Sequence, residues 1–318
     1  MEHIYRGCGS SYKGRSNKSK AAIKLQVVFD YLHQVLDRMD LTEGIRSDQG
    51  YRNYLEDIKT NDLLIADLGY FVPGSFRRIS ESGAYFISRY KADTNLYEKG
   101  SDLKLDLPRL LENKTFITMD VLLGKEAKLP VRIICYKLTD EQSIVRRRKA
   151  NLLAKGHKYK SSQRNQQLLQ WSLFITNIPE SKISAEHIWT IYRARWQIEL
   201  LFKLYKSHIK IETIKGTSKS YRVLCELYAK LCGALIFHGI LGCAENLRSD
   251  NEISMTKAVL ELKKRSREMF LIVNQNLKNL QNFLKKLVLD WSKFCLKDRY
   301  RKTRLSSLNM LRSIDIKP

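Results

Sequence analysis

The sequence predicts an α/β fold: a mixed sheet with flanking helices, interrupted by a β-rich insertion and followed by a helical C-terminal region. Three observations predict it. Over residues 1–94, strand-like and helix-like segments alternate. Over 95–180 the signals are mainly those of strands. Over 181–250 and then 251–318 the chain reads as helical, the last part as basic amphipathic segments.

The elements follow in order. Ala21 to Tyr31, AAIKLQVVFDY, is rich in β-branched and aromatic residues and reads as a strand, with Gln34 to Thr42 as its antiparallel neighbour. Gly44 to Gly50 is turn-like, and Tyr51 to Lys59 reads as a short helix. Asp62 to Leu68, DLLIADL, reads as a buried strand, because an unbroken apolar run precedes Asp67 and Gly69. Phe76 to Ser82 reads as a helical turn and Ala84 to Tyr90 as another strand. In the insertion, Lys114 to Leu123, Val131 to Leu138 and Gln170 to Ile178 read as strands, with one helix around Asp140 to Ala154. Ser184 is placed to cap the next helix, with Glu186 in its first turn, where the helix dipole favours an anion. Tyr221 to Leu247 reads as a long apolar helix.

Charge narrows the function. The 318 residues hold 57 Lys and Arg against 33 Asp and Glu, a formal net charge of +24. Such an excess points to a polyanion, above all nucleic acid. A membrane surface ranks lower, because the cations are spread over many segments and Leu231 to Ala244 is too short an apolar run to span a bilayer. Cys8, Cys135, Cys225, Cys232, Cys243 and Cys295 are scattered without metal spacing, which fits a reducing compartment and supports neither a zinc site nor a disulfide framework. No phosphate-binding GxxxxGK and no GxSxG elbow occurs. Arg146, Arg147, Arg148, Lys149, Lys155, Lys158, Lys160 and Arg164 run without an intervening acid. That run is either a solvated loop or a DNA contact.

Two features carry chemistry. In YRARWQIELLFKLYK, residues 192–206, Tyr192, Arg195, Glu199 and Lys206 fall within about 60° of one another on an ideal α-helix, over about 21 Å. Ile191, Ala194, Ile198, Leu201, Phe202 and Tyr205 fall on the neighbouring, core-facing sector, and Trp196 is expected to pack. The stripe is either a solvated margin or a working surface. Asp67, at the end of an apolar strand, is either a turn-forming cap or a metal ligand at the sheet edge.

The spacing Tyr192, Arg195, Glu199, Lys206 resembles the YREK signature of DDE transposases of the IS-four insertion-sequence family, and LIADLGYF, residues 64–71, resembles that family's second-aspartate motif. The order of parts agrees over nearly the whole chain. The resemblance implies an RNase H-like fold in which Asp67 and Glu199 are catalytic carboxylates and ligands of Mg²⁺ (or Mn²⁺). It implies that Arg195 and Lys206 contact DNA phosphates, that Tyr192 bonds a phosphate or orients the site, and that Trp171 stacks on a flipped base, beside the alternative that Trp171 is a core residue. It further implies transposon ends and target DNA as partners, a homodimer on DNA, and a cytoplasmic, nucleoid-associated bacterial protein.

The same resemblance calls for a first aspartate on a strand pairing with Ala21 to Tyr31. The residues before it, MEHIYRGCGSSYKGRSNKSK, hold no apolar run and no acid except Glu2, and neither Asp30 nor Asp48 has the right place in the order of strands. The sequence therefore leads to the expectation of a chain lacking that strand, impaired in cleavage by itself. The alternative function is a non-catalytic DNA-binding or inhibitory fragment that partners a full-length transposase.

Overall fold

The computed structural model describes residues 2–3, 13–16, 19–101, 103–156, 162–215, 219–247, 252–298 and 307–313. Cys8, Lys158, Lys160, Arg299, Arg301, Lys302 and Arg304 lie outside them. In chain order the strands are β1 (Glu2–His3), β2 (Lys13–Ser16), β3 (Ser19–Ala21), β4 (Ile23–Asp30), β5 (Val35–Glu43), β6 (Leu63–Ala66), β7 (Tyr85–Arg89), β8 (Leu96–Glu98), β9 (Phe116–Leu123), β10 (Leu129–Lys137) and β11 (Trp171–Thr176). The helices are α1 (Pro73–Glu81), α2 (Leu107–Leu110), α3 (Asp140–Gly156), α4 (Gln163–Leu168), α5 (Ala185–Tyr192), α6 (Trp196–Leu204), α7 (Ser220–Asn246), α8 (Met255–Lys264), α9 (Ser266–Val273), α10 (Leu277–Phe294) and α11 (Ser307–Ser313). They form two compact units, residues 1–47 with 196–308, and residues 48–195 with 309–318.

The first unit is built on the β4–β5 hairpin. The two strands pair antiparallel, with a register shift between Val28 and Phe29, and β1 pairs on the other side of β4. Ile23 and Leu25 of β4 share one core with Leu201, Leu204 and Tyr205, with the inward face of α7, and with Phe283, Leu287 and Trp291 of α10. Each such fully buried large side chain contributes roughly 1.5–3 kcal/mol. Gly242 marks the closest approach of α7 to the hairpin: a Cβ there would stand 2.9 Å from the His33 carbonyl oxygen. His238 of α7 bonds through Nδ1 to the Gln34 carbonyl at 3.0 Å, at a hairpin residue with φ of 59°. Helix α7 matches the expected Tyr221 to Leu247 helix to within a residue at each end; among the described residues it is long and apolar enough to cross a membrane, and half of its most apolar window is buried.

The second unit is built on a six-stranded sheet of order β6-β7-β11-β10-β9-β8. Strands β6 and β7 are parallel, as a strand–helix–strand unit through α1 requires, and every other pairing is antiparallel. The strands of the expected insertion thus continue the same sheet. Every residue of β11 is buried, which explains its unbroken run WSLFIT. Helix α1 starts with Pro73 and buries Phe76, whose ring stacks on Phe86 at 4.4 Å. Asn177 pins the β7 start: its Oδ1 accepts from the Phe86 amide at 2.9 Å and its Nδ2 donates to the Ala84 carbonyl at 2.8 Å.

Three expectations are corrected. The Tyr51 to Lys59 helix is a single 3₁₀ turn, Asn53–Leu55, because Tyr51 and Tyr54 turn into aromatic contacts, Tyr54 with Tyr70 at 6.0 Å. Strand β6 is half-buried for three of its four residues, as befits the end strand of a sheet. Ser184 sits at the N-cap position but caps no amide; its hydroxyl meets the His187 ring at 3.0 Å.

Candidate functional site

Strand β6 ends at Ala66, and Asp67 follows with extended backbone, φ −76° and ψ 162°. It stands at the start of a 3₁₀ turn, Leu68–Tyr70, yet its side chain makes no capping bond. The carboxylate is 54% exposed and faces the Arg195 guanidinium, Nε to Oδ1 at 3.9 Å. Asp67 thus takes the turn-forming position through its backbone, its carbonyl accepting from the Tyr70 amide at 2.9 Å, without a capping bond from its carboxylate.

Arg195 and Tyr192 come from α5 and the turn that follows it. Tyr192 ends α5, and its ring packs on Phe174 of β11 at 4.9 Å. Trp189, one turn earlier, packs on Phe174 and Tyr136 at 5.7 and 5.8 Å, and the Tyr136 hydroxyl donates to the Ala185 carbonyl. This aromatic cluster sets α5 against β10 and β11. The Arg195 guanidinium lies 5.9 Å from the Tyr192 ring centre. The Tyr192 hydroxyl is buried, with Arg195 as its polar neighbour. Burial pushes its pKa up to about 12, Arg195 pulling down and Asp67 pushing further up, so at neutral pH it is a protonated donor.

The expected continuous helix is broken. Helix α5 stops at Tyr192, Arg193–Arg195 form a 3₁₀ turn, α6 runs Trp196–Leu204, and Tyr205–Ile209 form a π turn. Glu199 is half-buried in the first turn of α6, and Lys206 pairs with Glu212 at 2.6 Å in the turn after it. Both belong to the first unit, whereas Asp67, Tyr192, Arg195 and Trp171 belong to the second. The core sector is as expected, with Ile191, Ala194, Leu201 and Tyr205 buried, but Trp196 is 54% exposed, a correction: it opens α6 on the side away from that sector. Trp171 is 6% exposed at the start of β11.

Two residues escaped the sequence reading. Arg89 ends β7; since Ser88 pairs with Ala66, Arg89 follows beside Asp67, and it acts on Tyr192 and Arg146. Arg146 of α3, counted only within a charge run, donates to the Trp171 carbonyl and to the Ser172 hydroxyl. Burial, with Arg89 adding, brings its pKa down to about 10. A cation at the end of the strand next to Asp67 was the available signal for Arg89.

For a divalent metal the donors fit in kind, since carboxylate oxygens suit Mg²⁺. They fall short in number: among the described residues of either unit, no three His, Cys, Asp or Glu side chains come together as a metal-holding group.

A strand-end carboxylate, guanidinium groups and a buried phenol donor on a mixed sheet define a site suited to a phosphate-bearing ligand. Residues 4–233 match the family described as "Transposase DDE domain", and the chain belongs to that family. Over 92% of its length it is 29% identical to the transposase for insertion sequence element IS1151 of Clostridium perfringens, covering 67% of that protein. It is 26% identical, over 90% of its length and 63% of the relative, to the transposase for IS231B of Bacillus thuringiensis subsp. berliner. With that subspecies' IS231C transposase it shares 27% identity over 74% of its length and 52% of the relative. The chain thus spans about two thirds of the length of IS1151 and IS231B transposases.

Proposed function

We propose that this chain works on DNA as the catalytic-domain portion of an insertion-sequence transposase of the IS-four type, with an RNase H-like arrangement around β6. The observation that carries the proposal is the exposed Asp67 carboxylate facing Arg195, with the buried Tyr192 hydroxyl acting on the same guanidinium, in a chain of the DDE family. Asp67 and Glu199 are the carboxylates offered to Mg²⁺ (or Mn²⁺). Bound there, the metal would supply Lewis-acid activation of water and of the scissile phosphate. Arg195 and Lys206 hold the phosphodiester, each leaving its carboxylate partner for the phosphate. Tyr192, held protonated, donates a hydrogen bond to a phosphate oxygen. Trp171 stacks on a base only if its indole leaves the sheet. The partners are transposon ends and target DNA, with a homodimer forming on them, in the cytoplasm at the nucleoid.

Two carboxylates are fewer than the triad that the family resemblance calls for, so we infer that the chain by itself is impaired in cleavage. A second reading is a DNA-binding, non-catalytic form that occupies ends or joins a full-length transposase. One assay separates the two: nicking of plasmid carrying the element's ends, with Mg²⁺, by the wild type, Asp67→Ala and Glu199→Ala. On the enzyme reading the variants lose roughly 100-fold or more of the rate. On the binding reading all three are equally inactive, while Arg195→Ala and Tyr192→Phe each weaken DNA binding by about tenfold. A wild type that neither nicks nor binds DNA at moderate salt would sink both.

A further inference from the structure

Helix α7 has two apolar sides. One carries Val223, Leu227, Leu231, Ala234, Phe237 and Leu241 into the core of the first unit. The other faces solvent, and from Cys225 to Cys243 no exposed position on it is charged. A solvated face on a helix this long is normally polar, and this one belongs to a chain of net charge +24.

The exposed seam Tyr221, Cys225, Tyr228, Cys232, Leu235, Gly239 advances in alternating steps of four and three residues. An average step of 3.5 is the period of a helix that packs along another helix. Bulky and small residues alternate along it. In an antiparallel two-fold pairing centred on the Lys230 position, Tyr221 of one copy meets Gly239 of the other, Cys225 meets Leu235, and Tyr228 meets Cys232. Each layer then sets one large side chain against one small one, as an isologous interface requires. The Gly239 position has open space around it. Lys230 does not charge the seam: its ammonium turns to Glu226 and to the carbonyls of Lys210 and Thr213. Two strongly basic copies repel, and this uncharged strip is where they approach at least electrostatic cost.

We infer that the outer seam of α7 docks a second copy of this chain, α7 against α7, antiparallel. The contact runs about 27 Å. A single helix pair of that length falls below the roughly 1,200 Å² of a standard interface, so the dimer is weak, with dissociation in the micromolar range. The inference does not rest on the DNA reading, and its test contains no DNA.

The test is sedimentation of the full chain at tens of micromolar. The expected result is a reversible dimer, weakened about tenfold or more by Tyr228→Glu and by Leu235→Glu. Both positions are exposed, 52% and 46%, so thermal melting of the diluted monomer should be unchanged. Independently, Leu235→Cys should form a disulfide-linked dimer through Cys225 under mild oxidant, and adding Cys225→Ser should abolish it. A wild type that stays monomeric, or a dimer indifferent to both Glu substitutions, overturns the proposal. So does a monomer that sediments with phosphatidylcholine vesicles. Failure of the Leu235→Cys cross-link in a dimer that the Glu variants dissolve overturns the antiparallel register.

Discussion

His238 carries one of the sharper consequences at the scale of single residues. Its Nδ1 donates to the Gln34 carbonyl, its Nε2 is buried without a partner, and the rings of Phe29, Tyr205 and Phe237 surround it. Burial lowers its pKa to about 4, the Gln34 bond opposing. The folded state therefore keeps the ring neutral while the unfolded state protonates it near 6.5. Between those values the unfolded chain binds the extra proton, so stability falls as pH falls from about 6.5 to about 4 and this term saturates below. The loss should be roughly 2–4 kcal/mol, read as urea midpoints across that window, and His238→Leu should flatten the slope. Residue types alone could not announce this. The sequence shows His238 interrupting an apolar run, and only the fold supplies the carbonyl it meets. Asp67 was more legible, since a lone carboxylate after an apolar strand is visible in the sequence. That Arg89 stands beside it needed the parallel register of β6 and β7.

At the scale of elements, most strands were legible because their apolar residues recur with the period of a pleated strand, or run unbroken where both faces are covered, as in β11. The break between α5 and α6 was not. Arg193–Arg195 contains neither Gly nor Pro, so no local signal marks it. The aromatic cluster that seats Tyr192 on Phe174 fixes α5, while Leu201 and Leu204 fix α6 in the other unit's core. Tertiary packing outweighs helix propensity there. The packing of α7 on its hairpin gives a prediction of unusual sign. In an ordinary helix interior Gly→Ala gains about 1 kcal/mol. At Gly242 the new methyl would meet the His33 carbonyl oxygen at 2.9 Å and Val35 Cγ1 at 3.0 Å. Gly242→Ala should instead destabilise the first unit by about 1–3 kcal/mol, seen as a lowered thermal midpoint. Gly239→Ala, with open space at the same helix, is the matching control.

For the whole molecule, charge makes the clearest demand. With +24 spread over many segments, DNA affinity should fall steeply with salt. Between 50 and 200 mM salt a loss of about 1,000-fold or more is expected in a filter-binding titration. A nearly flat titration would remove DNA as the partner the charge serves. The division into two units was hidden from the sequence. It depends on which strands pair across long separations, and β4–β5 pairs within one unit while β6 and β7 pair in the other. One feature of that division reaches into handling and engineering. Among the described residues β6 has a strand neighbour on one side only, so Leu63–Ala66 is the end strand of its sheet right up to Asp67. An end strand of this kind, where its outer side is open, pairs with an extended chain. Concentrated stocks should clump by edge-to-edge stitching. A short synthetic peptide of alternating valines and threonines, added in trans, should act as a removable zip on that edge, and if its last residue were an aspartate it would deliver a second carboxylate next to the first.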